Sequence, residues 1–307
     1  MKQRSKVADY LAYLVVRFAV CVLQALSFRA ACRFADWLAW LGYHLDCRHR
    51  RVADENLQQA FGDQYSPSQR DRIVRDVFRH FCRIVIEMIH LPRCLNVGTW
   101  KSYLELVRGD HIIGSLLAGR PVLLVTAHFG NWEMSGYLLG LCGFRTYAIA
   151  RRLDNPYLDR FLASFRKRTG QAILDKNDDY ARIQKVLKEG GAIATLADQD
   201  AGKRGLFVDF FGRPASTHKA VALLALEYNV PLLVIGTAKV GEPMRYQIIA
   251  EDLIMPEEYA GRSDAVRAIT QRFTTALEQL IRRHPEQYFW LHRRWKHQPV
   301  VRAKKAA

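Results

Sequence analysis

The chain has 307 residues and a formal charge of +16, and no Pro-, Gly- or Ser-rich linker divides it. One globular domain with an N-terminal appendage is therefore expected, as a membrane-associating helical segment at 1–47 and an α/β domain at 48–307. The six cysteines lack a C-x-x-C pair or metal-ligand spacing, which excludes a disulfide framework or zinc module and reads as reduced core thiols.

In chain order, Tyr10 to Leu26 is an apolar run interrupted by Arg17 and preceded by Lys2, Arg4 and Lys6. Its Leu, Val and Phe residues each favour insertion by roughly 0.3–0.6 kcal/mol, while a central arginine opposes it by roughly 2.5–3.5 kcal/mol, so the sum lies near zero. A second stretch sets Phe34, Trp37, Leu38, Leu41 and Leu45 on one helical face, with Trp40, Tyr43, Arg29 and Arg33 beside it. Two helices dipping into or marginally spanning the bilayer are expected. A cleaved signal peptide and a plain packed hairpin are the rivals, and the interruption at Arg17 argues against the former.

Ser66, Pro67 and Gln69 carry the N-cap, N1 proline and capping-box glutamine of a helix that should run through Phe78, Phe81, Val85 and Met88 until Pro92 stops it. Pro121 to Val125 reads as a buried parallel strand, broken toward a helix by Gly130 and Asn131. His128 then sits at a strand's carboxyl end, where open α/β sheets bind ligands. Residues five apart on a regular helix diverge by about 140°. His128 and Glu133 can therefore pair only across the turn, the carboxylate taking the Nδ1 proton and leaving Nε2 as a base. The alternative is a solvated histidine and a helix-start glutamate.

Further strands are expected at Arg145–Ala150, Gly191–Ala197, Leu232–Lys239 and Arg245–Ala250, with helices near 156–169, 178–189 and 217–228. A long helix should follow Ser263, with Val266, Ile269, Phe273, Leu277 and Ile281 on one face. This order predicts an α/β fold, a mostly parallel central sheet covered by helices, with N-terminal membrane-associating helices. Asp198, Gln199 and Asp200 follow a strand and should reach the same rim as His128, unless they only cap a turn.

His128 to Glu133 (H-F-G-N-W-E) resembles the H-x4-D/E signature of glycerolipid-type acyltransferases. The blocks Asp198–Gly205, Phe207–Thr217 and Pro285–Lys296 look like the later motifs of the lipid A biosynthesis (lauroyl/myristoyl) acyltransferase family. The resemblance implies acyl transfer from an acyl carrier protein or coenzyme A thioester to a lipid hydroxyl at the cytoplasmic face of the inner membrane, with no cofactor. It makes His128 the general base and Glu133 its orienting partner, with oxyanion donors among the Gly130-turn amides or a nearby cation. Arg151 aligns with a family arginine, as that cation or a phosphate contact. Asp198, Gln199, Asp200 and Lys203 become substrate-binding candidates, Lys203 with Arg204 for an acidic headgroup. Phe207, Phe210 and Phe211 become acyl-slot candidates, and His292 to Lys296 a basic, aromatic contact with anionic lipid.

Rival functions remain. The chain has no G-x-S-x-G elbow, but water at the same site would make a thioesterase. A metal hydrolase lacks a ligand motif, and a nucleic-acid-binding module lacks RNP, helix-turn-helix or zinc-finger patterns, which leaves an anionic membrane as the better partner.

Overall fold

A computed structural model describes residues 5–167, 170–175 and 179–299. Lys2, Arg4 and the expected helix ends at 168–169 and 178 lie outside the described residues. The elements run α1 (Lys6–Ala25), α2 (Phe28–Leu45), α3 (Cys47–Phe61), α4 (Pro67–Cys94), a single turn α5 (Trp100–Tyr103), β1 (Leu104–Val107), α6 (Gly109–Leu117), β2 (Val122–Thr126), α7 (Trp132–Leu141) and β3 (Thr146–Ala150). They continue with α8 (Pro156–Lys167), β4 (Ala172–Asp175), α9 (Tyr180–Lys188), β5 (Ala192–Leu196), β6 (Leu206–Phe210), β7 (Arg213–Thr217), α10 (Ala220–Tyr228), β8 (Leu232–Gly241), β9 (Arg245–Ile254) and α11 (Ala265–Arg283).

Seven strands form one sheet in the order β1-β9-β8-β2-β5-β3-β4. Every neighbouring pair is parallel except the β8–β9 hairpin. The mostly parallel α/β expectation holds. β2 is buried throughout, and its side chains alternate between the two faces: Leu123 and Val125 join the core that includes Phe273 and Leu277 of α11, while Val122 and Leu124 meet Met134 and Leu138 of α7.

α4 starts on the Ser66–Gln69 capping box but does not stop at Pro92. A proline in the last turn removes one N–H and still allows Leu95 N–H to close on Leu91 O at 2.8 Å. The thiols are free but not core: Cys21, Cys47 and Cys142 are exposed and the other three half-buried.

Candidate active site

The site follows from strand register. β2 and β5 are parallel neighbours with Thr126 opposite Leu196. His128 and Asp198 each lie two residues further on, so they arrive side by side at the carboxyl rim. His128 Nδ1–H donates to Asp198 Oδ1 at 2.9 Å. The carboxylate is buried, whereas the imidazole side chain keeps 23% of its exposure. Burial works to lower the His128 pKa, but the charge and hydrogen bond of Asp198 and the nearby Glu133 charge outweigh it, so the net shift is upward. Burial likewise works to raise Asp198, and His128 reverses it to a net lowering. An ionised Asp198 only accepts, which assigns the proton to Nδ1 and leaves the Nε2 lone pair open.

Glu133 does not hold His128. Its carboxylate is gripped by Arg166 of α8, through Nε at 3.0 Å and through Nη2. As a first-turn residue of α7, Glu133 starts beyond the turn that carries the imidazole, while β5 delivers a carboxylate directly beside Nδ1. The expected pairing is therefore corrected: Asp198 orients the ring and Glu133 acts on it through its field.

The turn between them is fixed from several sides. Gly130 has φ +55°, and a Cβ there would lie 1.7 Å from the Thr237 carbonyl oxygen. Gly130 N–H donates to Gln287 O at 3.0 Å and Asn131 N–H to Thr237 O at 2.9 Å. Those amides are committed to the fold, so the expectation that they serve an oxyanion is overturned. Asn131 caps α7 at Met134 N–H and donates to Glu87 of α4 at 3.0 Å. Glu87, 1% exposed, also takes the Lys239 ammonium at 3.1 Å and the Tyr246 hydroxyl. His80 donates to Gly130 O at 3.3 Å, and burial pushes its pKa down to about 4, so it is neutral.

A narrow cleft with about 60 Å³ of open space lies between α7, β3, β5 and α8, lined by Leu139, Ala148, Ala194 and Ile235, with Trp132, Glu133 and Arg166 among its polar and aromatic residues. The Trp132 ring centroid lies 5.1 Å from that of His128, and Phe289 stands at 6.1 Å. The cleft thus begins one ring away from His128. Phe210 and Phe211 do not line it; they are buried in the core against Trp290 and Trp295, because β6–β7 forms a separate hairpin away from the cleft.

The remaining candidates divide. Asp200 is a clamp: its Oδ2 accepts from His297 at 2.6 Å and from Gly202 N–H at 3.1 Å, and its N–H donates to His292 Nε2 at 3.0 Å. Gln199 is half-buried and Lys203 exposed. Arg151 follows β3 onto the same rim but is turned to solvent and paired with Asp154 at 2.7 Å. The C-terminal basic cluster is not one surface. Arg294 is buried, donating to Ser216 O and Thr217 Oγ1 at 2.6 Å each, and Trp295 is buried too, which leaves Arg293 and Lys296 outside.

Arg166 escaped the sequence reading, since nothing in an amphipathic helix marks one arginine among several. Glu87 had a signal, being the one acid in the apolar run Ile84–Ile89. Among the described residues, no three His, Cys, Asp or Glu side chains are grouped as a metal ion would need.

Residues 1–297 match the family described as bacterial lipid A biosynthesis acyltransferase. The chain is 27% identical over 257 residues to the lipid A biosynthesis palmitoleoyltransferase of Escherichia coli K12, covering 82% of this chain and 80% of that one. It is 26% identical over 295 residues to the lipid A biosynthesis lauroyltransferase of the same strain, covering 86% and 92%. The phosphatidylinositol mannoside acyltransferase of Mycolicibacterium smegmatis is 25% identical over 229 residues, 73% of each chain.

Proposed function

The chain belongs to the bacterial lipid A biosynthesis acyltransferase family and is an acyltransferase, and from that premise we propose that it moves a fatty acyl chain from an acyl carrier protein or coenzyme A thioester to a hydroxyl of a lipid A precursor or related glycolipid. The reaction would occur at the cytoplasmic face of the inner membrane. The observation that carries this reading is the 2.9 Å His128–Asp198 hydrogen bond beside an apolar cleft.

His128 Nε2 takes the acceptor's hydroxyl proton as its oxygen attacks the thioester carbonyl. The resulting tetrahedral adduct collapses, the C–S bond breaks, and the thiolate leaves with the proton returned from His128. Asp198 keeps the tautomer and stabilises the transient imidazolium. No acyl-enzyme forms. The fatty chain runs past Trp132 into the cleft, and Glu133, fastened by Arg166 at its mouth, adds negative charge that favours the imidazolium. Arg151, Gln199 and Lys203 on the rim contact the acceptor headgroup, and Asp200 acts indirectly by holding His292 and His297 in place.

The test is thiol release from an acyl thioester by the purified protein with and without acceptor glycolipid, followed by mass spectrometry of the lipid. Release that depends on acceptor, with one acyl increment gained per thiol, is expected. Equal release without acceptor would make the protein a thioesterase.

A further inference from the structure

By length and composition α1 could cross a bilayer, yet its contacts point elsewhere. We propose that α1 lies flat in the cytoplasmic leaflet, its outer face in lipid and its inner face on the protein, so that with α2 it forms a monotopic seat on an anionic bilayer. The proposal deepens the membrane location in the functional reading and rests on it only for which leaflet is meant.

The inner face is a stripe along the whole helix. Asp9, Tyr13, Val20, Leu23 and Gln24 are its buried or half-buried positions, at spacings that keep one side of a helix. Asn155 donates to Asp9 O at 2.8 Å near the start. Tyr13 meets Tyr157 and Phe161 of α8, and the Arg17 guanidinium stands 5.1 Å over the Phe161 ring. Near the end, Gln24 donates to Ile89 O at 3.3 Å, His90 reaches Leu23 O at 3.1 Å, and Arg93 donates to Gln24 O. Asp9, Tyr13 and Gln24 of an otherwise apolar helix therefore face inward, while Arg17, which breaks its hydrophobic run, stays exposed at the edge of that face with its guanidinium against α8.

A twenty-residue helix is about 30 Å long, the thickness of the hydrocarbon core. Standing α1 upright would therefore drag the segments fastened along it into hydrocarbon, among them Arg160 of α8 and Arg93 of α4, and buried charges there are costly. Lying flat imposes no such burden. The opposite face then presents Leu11, Val15, Phe18 and Val22. α2 repeats the design, burying Ala31, Ala35, Ala39 and Tyr43 against α4 and exposing Phe34, Trp37, Leu38 and Trp40, with Arg29 and Arg33 exposed on the same helix. Tryptophans and arginines bordering an apolar face suit the headgroup zone of an anionic leaflet, as does the charge of +16.

The experiment uses the full chain with an epitope tag at each end, digested by protease in right-side-out and inverted inner-membrane vesicles. Both tags should be cut from the same side. Cleavage from opposite sides would mean that α1 spans, and would overturn the proposal. In parallel, Phe18→Glu, with its fold checked by circular dichroism, should reduce co-sedimentation with phosphatidylethanolamine–phosphatidylglycerol vesicles by roughly tenfold or more. Unchanged sedimentation, or a dimer formed through this face with no vesicle binding by the parent chain, would also overturn it. Neither assay uses a thioester, so failure of the catalytic reading leaves both results interpretable.

Discussion

The proposed chemistry rests on one imidazole and the two carboxylates that bear on it unequally. A base works in its neutral form, so kcat should rise with pH and level off above the raised His128 pKa. Asp198→Asn removes the charge that raises it and leaves at most a weaker, neutral hydrogen bond. The profile's midpoint should shift to lower pH while kcat falls by roughly 10²–10⁴-fold, read from kcat against pH. Glu133→Gln should shift the midpoint in the same direction but less, because it contributes no hydrogen bond. The pair also carries a stability signature. His128, raised on folding, stabilises at low pH and loses that contribution as pH rises through its folded pKa. Asp198, lowered on folding, contributes above its unfolded pKa and loses that as pH falls through its folded one. The difference in Tm between the parent and Asp198→Asn should thus be greatest between the two folded pKa values.

Among the elements, the β2–α7 turn has the least freedom to change. Gly130→Ala combines a left-handed backbone with a Cβ against the Thr237 carbonyl, and should cost at least about 2 kcal/mol in denaturant unfolding, with loss of transfer. At the cleft, Gly136 faces Gln171, whose Nε2 would lie 2.5 Å from an added Cβ. Gly136→Val should turn preference toward shorter acyl chains in competition between thioesters. The central strands were legible because Val122–Thr126, Ala192–Leu196 and Leu232–Gly241 are apolar runs bounded by clear breakers. The four-residue strands β1 and β4 were not legible, since they lie at the sheet's edges and are too short for a periodicity to register. His128 stood out by its motif, and Asp198 by the strand before it. Choosing Asp198 over Glu133 as the ring's partner required knowing that β5 pairs with β2, a long-range register that local spacing does not carry.

At the scale of the molecule, the relatives acylate more than one kind of glycolipid by name, so the fold alone does not select an acceptor. Binding to anionic vesicles should weaken as salt is raised to about 0.5 M, because charge attraction is screened, yet persist in part through the apolar faces of α1 and α2. Co-sedimentation across a salt series measures this. The central claim is that the His128–Asp198 pair drives acylation of a membrane glycolipid. Its most direct test is mass spectrometry of total lipids from a strain lacking this chain, complemented with the parent, His128→Ala or Asp198→Asn at matched membrane levels. The parent should restore an acyl increment to one glycolipid, His128→Ala should restore none, and Asp198→Asn only a small fraction. Full restoration by either variant would contradict the account.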